Sequence, residues 1–416
     1  MKTYSFFDNA ATTRCCDSAA ALVQKFATEQ FGNPSSSHAL GQTASKAIRE
    51  ARLFFADHFR VDPEQIIFTG SGSEADNLAV YGVSMDALVK RKNAAGAGTF
   101  RVVSSAIEHA AVRKTAQSLS AFGIDAVQAG VDGQGRIDEP SFLKKIDSNT
   151  VLASIMQVNN IVGSINPVEE LARKAKAIAP DLIFHADCVQ SFGKVELPRN
   201  PSPVDLLSIS AHKIHGPKGV GALIVLNKKL LKNGLRPLIW GGEQEGGFRS
   251  GTQNAGLIAG FHAAASETLR NQTASNRRVA ELRSLFKKKL TERKLLELAN
   301  SGGSGTVRWN SPESEGAGVP HVISLSIPGY PPSSLAKLLE ERGCLVSTGS
   351  ACSSAKMEPD YVLSAMGLPV AVHSSAIRVS FSSENTEEEI ELLARSLDES
   401  IAMMAQLLGG ATAARK

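Results

Sequence analysis

Cysteine is scarce in this chain. Its 416 residues hold five, Cys15, Cys16, Cys188, Cys344 and Cys352. The count is odd and no two sit as C-x-x-C, which argues against a disulfide framework and against a structural zinc site. Charge of one sign is scarce as well. Lys and Arg number 45 against 41 Asp and Glu, and the formal balance of +4 predicts neither nucleic-acid nor membrane binding. No apolar run approaches bilayer-spanning length. The N-terminal MKTYSFFDNAATT lacks the apolar core of a signal peptide, and no stretch repeats. What remains reads as a soluble protein of a reducing compartment, the cytoplasm. Its 43% hydrophobic and 21% charged residues are ordinary for a globular chain, and its length makes two domains the default expectation.

The pattern that is present alternates strands with helices. Asp17 to Gln30 is rich in Ala and Leu and stops at the turn signal Gly32-Asn33-Pro34. Gly41 to Phe59 has helical spacing, with Ile48, Leu53 and Phe54 among charged residues. Gln65 to Thr69 reads as a short buried strand, followed by a glycine turn and a helix from Ser73 to Lys90. Further strands are expected at Arg101 to Ser104, Val151 to Gln157, Leu182 to His185, Leu206 to Ser210 and Gly221 to Val225. This rhythm predicts an α/β fold with a mainly parallel sheet covered on both faces, whose ligands sit at the carboxyl ends of strands. Gly256 to Leu298 reads as one long helix or a broken pair. A glycine- and serine-rich loop, Asn300 to Gly318, precedes a smaller set of elements ending in a helix from Thr386 to Leu408. A domain boundary is expected near residue 260.

Four stretches carry candidate chemistry. FTGSGSEADN (Phe68 to Asn77) runs strand, glycine turn, helix. Gly70 and Gly72 let backbone amides approach an anion, and the helix N-terminus adds its positive end. Ser71 and Glu74 have capping-box spacing, so a plain capped helix is the ordinary alternative. SISAHKIHGPKGVGAL (Ser208 to Leu223) places Lys213, beside His212, at the end of a core strand. A lysine there can form a Schiff base once it loses its proton, which desolvation and a cationic neighbour favour; a surface loop lysine is the alternative. His212 and His215 have a spacing that a metal could use, but no further ligand joins them. FHADCVQS (Phe184 to Ser191) supplies Asp187 past another strand end, where a buried carboxylate needs a cationic partner. A protonated pyridinium nitrogen would serve, and a carboxylate there keeps such a ring an electron sink. Cys188 reads as a packed core thiol. IEHAAV offers His109 at a helix start, either as a stacking, proton-carrying imidazole or as a simple cap.

Taken in order, these stretches make the chain resemble the NifS/IscS-like cysteine desulfurases. These belong to the class V aminotransferase group of fold-type I pyridoxal-phosphate enzymes. The resemblance runs from DNAATT (Asp8 to Thr13) through FGNPSSSH, SAHKIHGPKG, RSGTQN and GSACSS to TEEEI near residue 390. It implies a large cofactor domain, residues 15–260, around a mainly parallel seven-stranded sheet. A smaller α+β domain would comprise residues 1–14 and 261–416 and carry the cysteine loop at about 345–357. It further implies that Lys213 holds pyridoxal 5'-phosphate, that His109 stacks on its ring and that Asp187 pairs with the ring nitrogen. Asn160 and Gln190 would reach the phenolic oxygen. Gly72, Ser73, Ser210 and His212 would hold the phosphate, with Thr252 supplied by the partner of an obligate homodimer. Arg378 would grip the carboxylate of L-cysteine, a task for which a planar fork suits better than lysine.

The resemblance also gives Cys352 a task. As a thiolate it would take the substrate sulfur, release alanine and carry a persulfide to an acceptor protein for iron–sulfur clusters or thiolated tRNA. The small residues of STGSACSS would let it leave the pocket. No metal, membrane or direct nucleic-acid contact is expected. Selenocysteine lyase is the alternative within the fold, and a non-catalytic scaffold the alternative outside catalysis. Three positions depart from the family pattern: Ile161 stands for a glutamate, Glu243 for a glycine and Gly246 for an arginine. Little chain follows the last helix to form the C-terminal extension that IscS-type proteins turn toward a scaffold partner.

Overall fold

The structure is a computed structural model and describes residues 4–92, 99–296, 306–314, 316–348 and 360–413. After the short strand β1 (Ser5–Phe6), seven strands build the central sheet: β2 (Ile66–Thr69), β3 (Arg101–Ser105), β4 (Asp125–Ala129), β5 (Thr150–Ser154), β6 (Ile183–Asp187), β7 (Leu206–Ser210) and β8 (Gly221–Val225). Their spatial order is β2-β8-β7-β6-β5-β3-β4. β8 runs against both of its neighbours, and the other pairs are parallel. The expected fold class, α/β with a mainly parallel seven-stranded sheet, is the one observed.

Seven helices accompany this sheet: α1 (Asp17–Thr28), α2 (Ala39–Phe59), α3 (Gly72–Lys92), α4 (Ala110–Ser118), α5 (Glu139–Leu143), α6 (Val168–Ile178) and α7 (Ala255–Glu292). β2, β7 and β8 are buried along their whole length, as strands covered on both faces must be. The pleat sends Leu207, Ile209, Ala222 and Ile224 to one face, against Phe55 of α2, Leu171 of α6 and Phe261 of α7. Leu206, Leu223 and Val225 take the other face, under Leu78 and Val83 of α3. The edge strand β4 escapes a reading by apolar runs because Asp125 and Gln128 face solvent. β5 stops at Ser154, three residues short of the expected end, where the chain turns into Gln157-Val158-Asn159.

A second core lies around α7, which is one unbroken helix of 38 residues. Its first half gives Ile258, Phe261 and Ala265 to the sheet core, and its second half gives Val279, Leu282, Phe286 and Leu290 to the smaller one. The remaining strands are β9 (Arg308–Trp309), β10 (Val322–Ser326), β11 (Cys344–Leu345) and β12 (Ala376–Ser380), with helices α8 (Pro332–Glu341), α9 (Tyr361–Ala365), α10 (Val370–His373) and α11 (Glu387–Ala413). β12, β10 and β9 form an antiparallel sheet, and β1 pairs in parallel with β11. The N-terminus therefore begins in the smaller core, through Phe7, and then crosses to the large one. Glu243 lies at φ 60, a left-handed conformation that costs a side-chain-bearing residue about 1–2 kcal/mol. That is the physical meaning of a glycine at this position in the family pattern.

Candidate active site

The site is laid out by strand ends. β7 ends at Ser210, and a tight turn, Ala211–Lys213, brings Lys213 out at the carboxyl edge of the sheet. The lysine Nζ donates to the carbonyls of Ala10 (2.6 Å) and Ala11 (2.7 Å). Gln190, three residues past the end of β6, donates from Nε2 to the same Ala10 carbonyl at 2.8 Å. The N-terminal DNAATT stretch thus lies across the lysine as a strap. It is pinned at both ends. The Asn9 amide donates to Ser380 O and the Ala10 amide to Ser380 Oγ, while the Thr13 amide donates to His212 O. Sequence reasoning used this stretch only as a family signature and missed its contacts; the signal was two small alanines between polar anchors.

β6 ends at Asp187, which is buried and whose Oδ1 accepts from the Val189 amide at 2.9 Å. Burial lifts its pKa, with His109, the Val189 amide and Lys213 pulling the other way. His109 caps α4, its Nδ1 accepting from the Ala111 amide at 3.2 Å. Burial lowers the pKa of the imidazole against the pull of Asp187. The neutral ring therefore carries its proton on Nε2. The pKa of His212 is lowered to about 4 by burial and by Lys213, and its Nδ1 lies 3.2 Å from Thr12 Oγ1.

At the start of α3, a Cβ on Gly72 would sit 2.6 Å from Val189 Cγ2 and 3.2 Å from Ser210 Cβ. Only glycine leaves room there. Ser71 Oγ accepts from the Glu74 amide, as capping-box spacing predicts, but the Glu74 carboxylate reaches back to the Gly70 amide instead and also takes Arg249. Ser73 is exposed on the first turn. Three buried polar atoms nearby have no hydrogen-bond partner among the described residues: Ser210 Oγ, Asn160 Oδ1 and Gln190 Oε1. Such atoms are costly unless a ligand or water meets them.

Arg378 comes from the smaller core, on β12, and is 2% exposed. It donates from Nη1 to Asn160 O (3.0 Å) and from Nη2 to Asp8 Oδ1 (2.7 Å), and its buried Nε has no partner among the described residues. Its backbone also exchanges hydrogen bonds with Ser347 at 3.1 and 2.7 Å. Thr252 is exposed beside a groove of about 250 Å³ that Gly70, Glu245 and Arg249 share. Cys352 and the stretch 349–359 lie outside the described residues. Cys188 is a fully buried thiol, 3.4 Å from Gln157 Oε1. Among the described residues no group of His, Cys, Asp and Glu could hold a metal ion, His212 and His215 included. No helix there is long and apolar enough to cross a membrane.

A buried acid network underlies the site and was not anticipated. Glu108, next to His109, accepts from Ser105 Oγ and from the Met156 amide at Oε1, while its Oε2 has no partner among the described residues. Burial pushes its pKa up to about 8. Asp76 on α3 is raised well above the usual range by burial and by Asp187. His185, between Ser154 and Ser208 at 2.8 and 2.9 Å, is lowered to about 3 by burial. Because Glu108 binds its proton more tightly in the folded chain than in the unfolded one, it costs nothing below about pH 4.5. Its penalty then grows as pH rises toward 8. Urea unfolding of the native sequence should lose roughly a few kcal/mol between about pH 6 and pH 9. Glu108→Gln should lose clearly less, and equal losses in the two proteins would show that Glu108 is not the group responsible.

A lysine, a carboxylate and an imidazole meeting at the carboxyl end of a mainly parallel seven-stranded sheet define a fold-type I transferase. More narrowly, the chain belongs to the aminotransferase class-V family, whose model matches residues 5–393, and that family is pyridoxal-phosphate-dependent. The chain is 35% identical over 390 residues to a protein of Dictyoglomus turgidum named cysteine desulfurase IscS, covering 94% of this chain and 92% of that one. A solved structure described as a NifS-like protein superposes with a TM-score of 0.84 at 32% identity, covering 96% of this chain and all of that one. Another, described as SspA in complex with cysteine, superposes with a TM-score of 0.75 at 30% identity over 92% of this chain and 99% of its own.

Proposed function

We propose that this protein is a cytoplasmic cysteine desulfurase. It takes the sulfur of L-cysteine, releases L-alanine and carries the sulfur as a persulfide on Cys352 to an acceptor protein for iron–sulfur cluster assembly or tRNA thiolation. The observation that carries the reading is the meeting of Lys213, Asp187 and His109 from three strand and helix ends of the large core with buried Arg378 from the smaller one. The proposed division assigns residues 15–260 to the cofactor domain and residues 1–14 with 261–416 to the domain that brings Arg378 and Cys352.

The residues fit pyridoxal phosphate. Gly72 packs too closely against Val189 and Ser210 to admit a Cβ, which leaves its backbone amide bare beside the orphaned Ser210 Oγ, a donor that a phosphate would meet. We assign the phosphate to Gly72, Ser73, Ser210 and His212. His212, held neutral by burial and by neighbouring lysines, gains a reason to take a proton once a dianion lies beside it. Asn160 and Gln190 each keep an unmet side-chain oxygen, an acceptor that a phenolic O–H would meet, and are assigned to the phenolic edge. Asp187 has no cation within salt-bridge distance among the described residues, and a pyridinium nitrogen would complete it. Thr252, exposed on its own chain, is assigned to the phosphate site of a second copy, which makes the homodimer the active form. When bound, the cofactor supplies an electron sink for bonds broken in the substrate.

The chain's own groups do the rest. Lys213, released from the Ala10 and Ala11 carbonyls, holds the cofactor and then moves protons at the substrate's α-carbon. Neutral His109 carries a proton on Nε2 and shuttles it near the ring. Cys352 thiolate attacks the substrate sulfur. The new S–S bond forms as the C–S bond breaks, and that electron pair stays with the carbon, which takes a proton to become the alanine methyl group. Ser347 supports this assignment. It is locked to the backbone of Arg378, and the five residues from it to Cys352 can span at most about 17 Å.

Arg378 donates two charge-assisted or carbonyl hydrogen bonds already, and a carboxylate would occupy its remaining edge. Lysine cannot reproduce that fork. Arg378→Lys should raise KM for L-cysteine about ten- to a hundredfold, the value of one or two charged hydrogen bonds, with a much smaller change in kcat. Steady-state kinetics on the cofactor-loaded variant checks this, and an unchanged KM would remove Arg378 from the substrate site. The function itself is tested by quantifying products from L-cysteine with a thiol reductant. Equal alanine and sulfide support the reading. A yellow protein that makes neither refutes it and points to another substrate.

A further inference from the structure

A second cavity, of about 150 Å³, lies behind the Lys213 turn, between that turn, α7 and the start of β10. It does not include His109, Asp187, Gln190 or Ser210, and of the residues assigned to the cofactor only Lys213 is part of its lining. Its volume equals about five waters. Lys194, from the turn that follows β6, and His321, just before β10, both line it. His321 is 5% exposed, and its Nε2 has no hydrogen-bond partner among the described residues. Lys194 makes no ion pair there either. The lining also holds Lys213, His215, the half-buried Ser275 and Asn276, whose amide donates to the Lys194 carbonyl at 2.7 Å, while its two carboxylates, Glu267 and Glu384, are exposed.

We propose that this cavity is a binding site for a small inorganic oxyanion of the phosphate or sulfate type, held between Lys194 of the large core and His321 of the smaller one. Two nitrogen-bearing side chains contributed by different cores, a third cation in Lys213, the Ser275 hydroxyl and no buried carboxylate make a lining complementary to negative charge. The electrostatics agree. Burial and Lys213 bring Lys194 down to about 7, while burial, Lys194 and Arg283 hold His321 well below its ordinary value. Each cation is thus penalised for lack of a counter-charge that an anion would supply. The inference stands apart from the desulfurase reading, because the two groups that would hold the anion, Lys194 and His321, are not assigned to catalysis, although Lys213 shares the lining.

The test is isothermal titration of cofactor-loaded protein, whose Gly72 cradle is filled, with sodium phosphate and with sodium sulfate at constant ionic strength. The expected result is saturable binding of one anion per chain, weakened at least tenfold in Lys194→Met and in His321→Asn. Failure of the unmodified protein to saturate with either anion would overturn the proposal without reference to any variant. Saturable binding that keeps its affinity in both folded variants would overturn it as well, by locating the anion elsewhere.

Discussion

Lys213→Ala should abolish the visible absorbance of lysine-bound cofactor and lower turnover of L-cysteine by about 10⁴-fold or more. The size of the effect follows from position. Lys213 follows the end of β7, on a turn fixed by Ala211 and Ile214, and the strap carbonyls of Ala10 and Ala11 hold its Nζ over the sheet edge. The other lysine near that turn, Lys194, lines the cavity behind it. Among the described residues, no second lysine stands on the side of His109 and Asp187 to replace it. The phosphate cradle does not involve its amino group, so the variant should still take up cofactor, with an altered spectrum. Added cofactor that restored the native spectrum and activity in the alanine protein would show that another amine does the work.

Cys352→Ser should retain the cofactor colour and lose sulfur transfer from L-cysteine by at least about 10³-fold. A serine hydroxyl is close in size but cannot supply the thiolate that attacks sulfur. Cys188 and Cys344 offer no rescue. Both are fully buried, and burial raises the pKa of each. Cys15 and Cys16 are partly exposed, but Cys15 too is raised, by burial and by Cys16. A Cys352→Ser protein that still turned over L-cysteine would refute the loop mechanism. One that had lost L-cysteine turnover but still released alanine from selenocysteine would identify the lyase reading, since selenium can be expelled as the element, with the C–Se electron pair kept by the carbon that becomes the alanine methyl group, without a protein nucleophile.

The legible parts of this fold are those where one face or both faces are buried without compromise. β7 and β8 were readable to the residue because every position along them is buried. α2 was readable as a helix, but of its expected apolar positions only Ile48 is buried: Leu53 is 49% exposed and Phe54 half-buried, and the turn of the helix gives the inner face to Phe55 and Phe59 instead. β1, β9 and β11 were not, since a two-residue strand carries no periodicity. The site divides in the same way. Lys213 and Asp187 announce themselves as polar residues at the ends of apolar strands. Asp8, whose contact with Arg378 spans 370 positions of sequence, leaves no local trace. Glu108 and Asp76 were invisible for a different reason: both read as ordinary polar residues at helix starts, and only the packing of α3 and α4 against the sheet buries them together.

Ile161 shows what the departures from the family pattern do. It is 1% exposed and packs with Ile107, Met156, Leu363 and Met366. A glutamate there would need a partner that this apolar cluster does not contain. The substitution therefore joins the wall behind Asn160 to α9, whose Tyr361 hydroxyl donates to the Glu108 carbonyl at 2.8 Å. The two sides of the candidate site are tied together by packing as well as by the strap.

The most direct test of the account is a single turnover. Cofactor-loaded protein in excess is mixed with L-cysteine without reductant, the thiols are trapped by alkylation, and the peptides are analysed by mass spectrometry while alanine is counted. The account predicts one extra sulfur on Cys352 for each alanine formed. Alanine without a persulfide on Cys352, or with the sulfur on Cys15 or Cys16 instead, would contradict it.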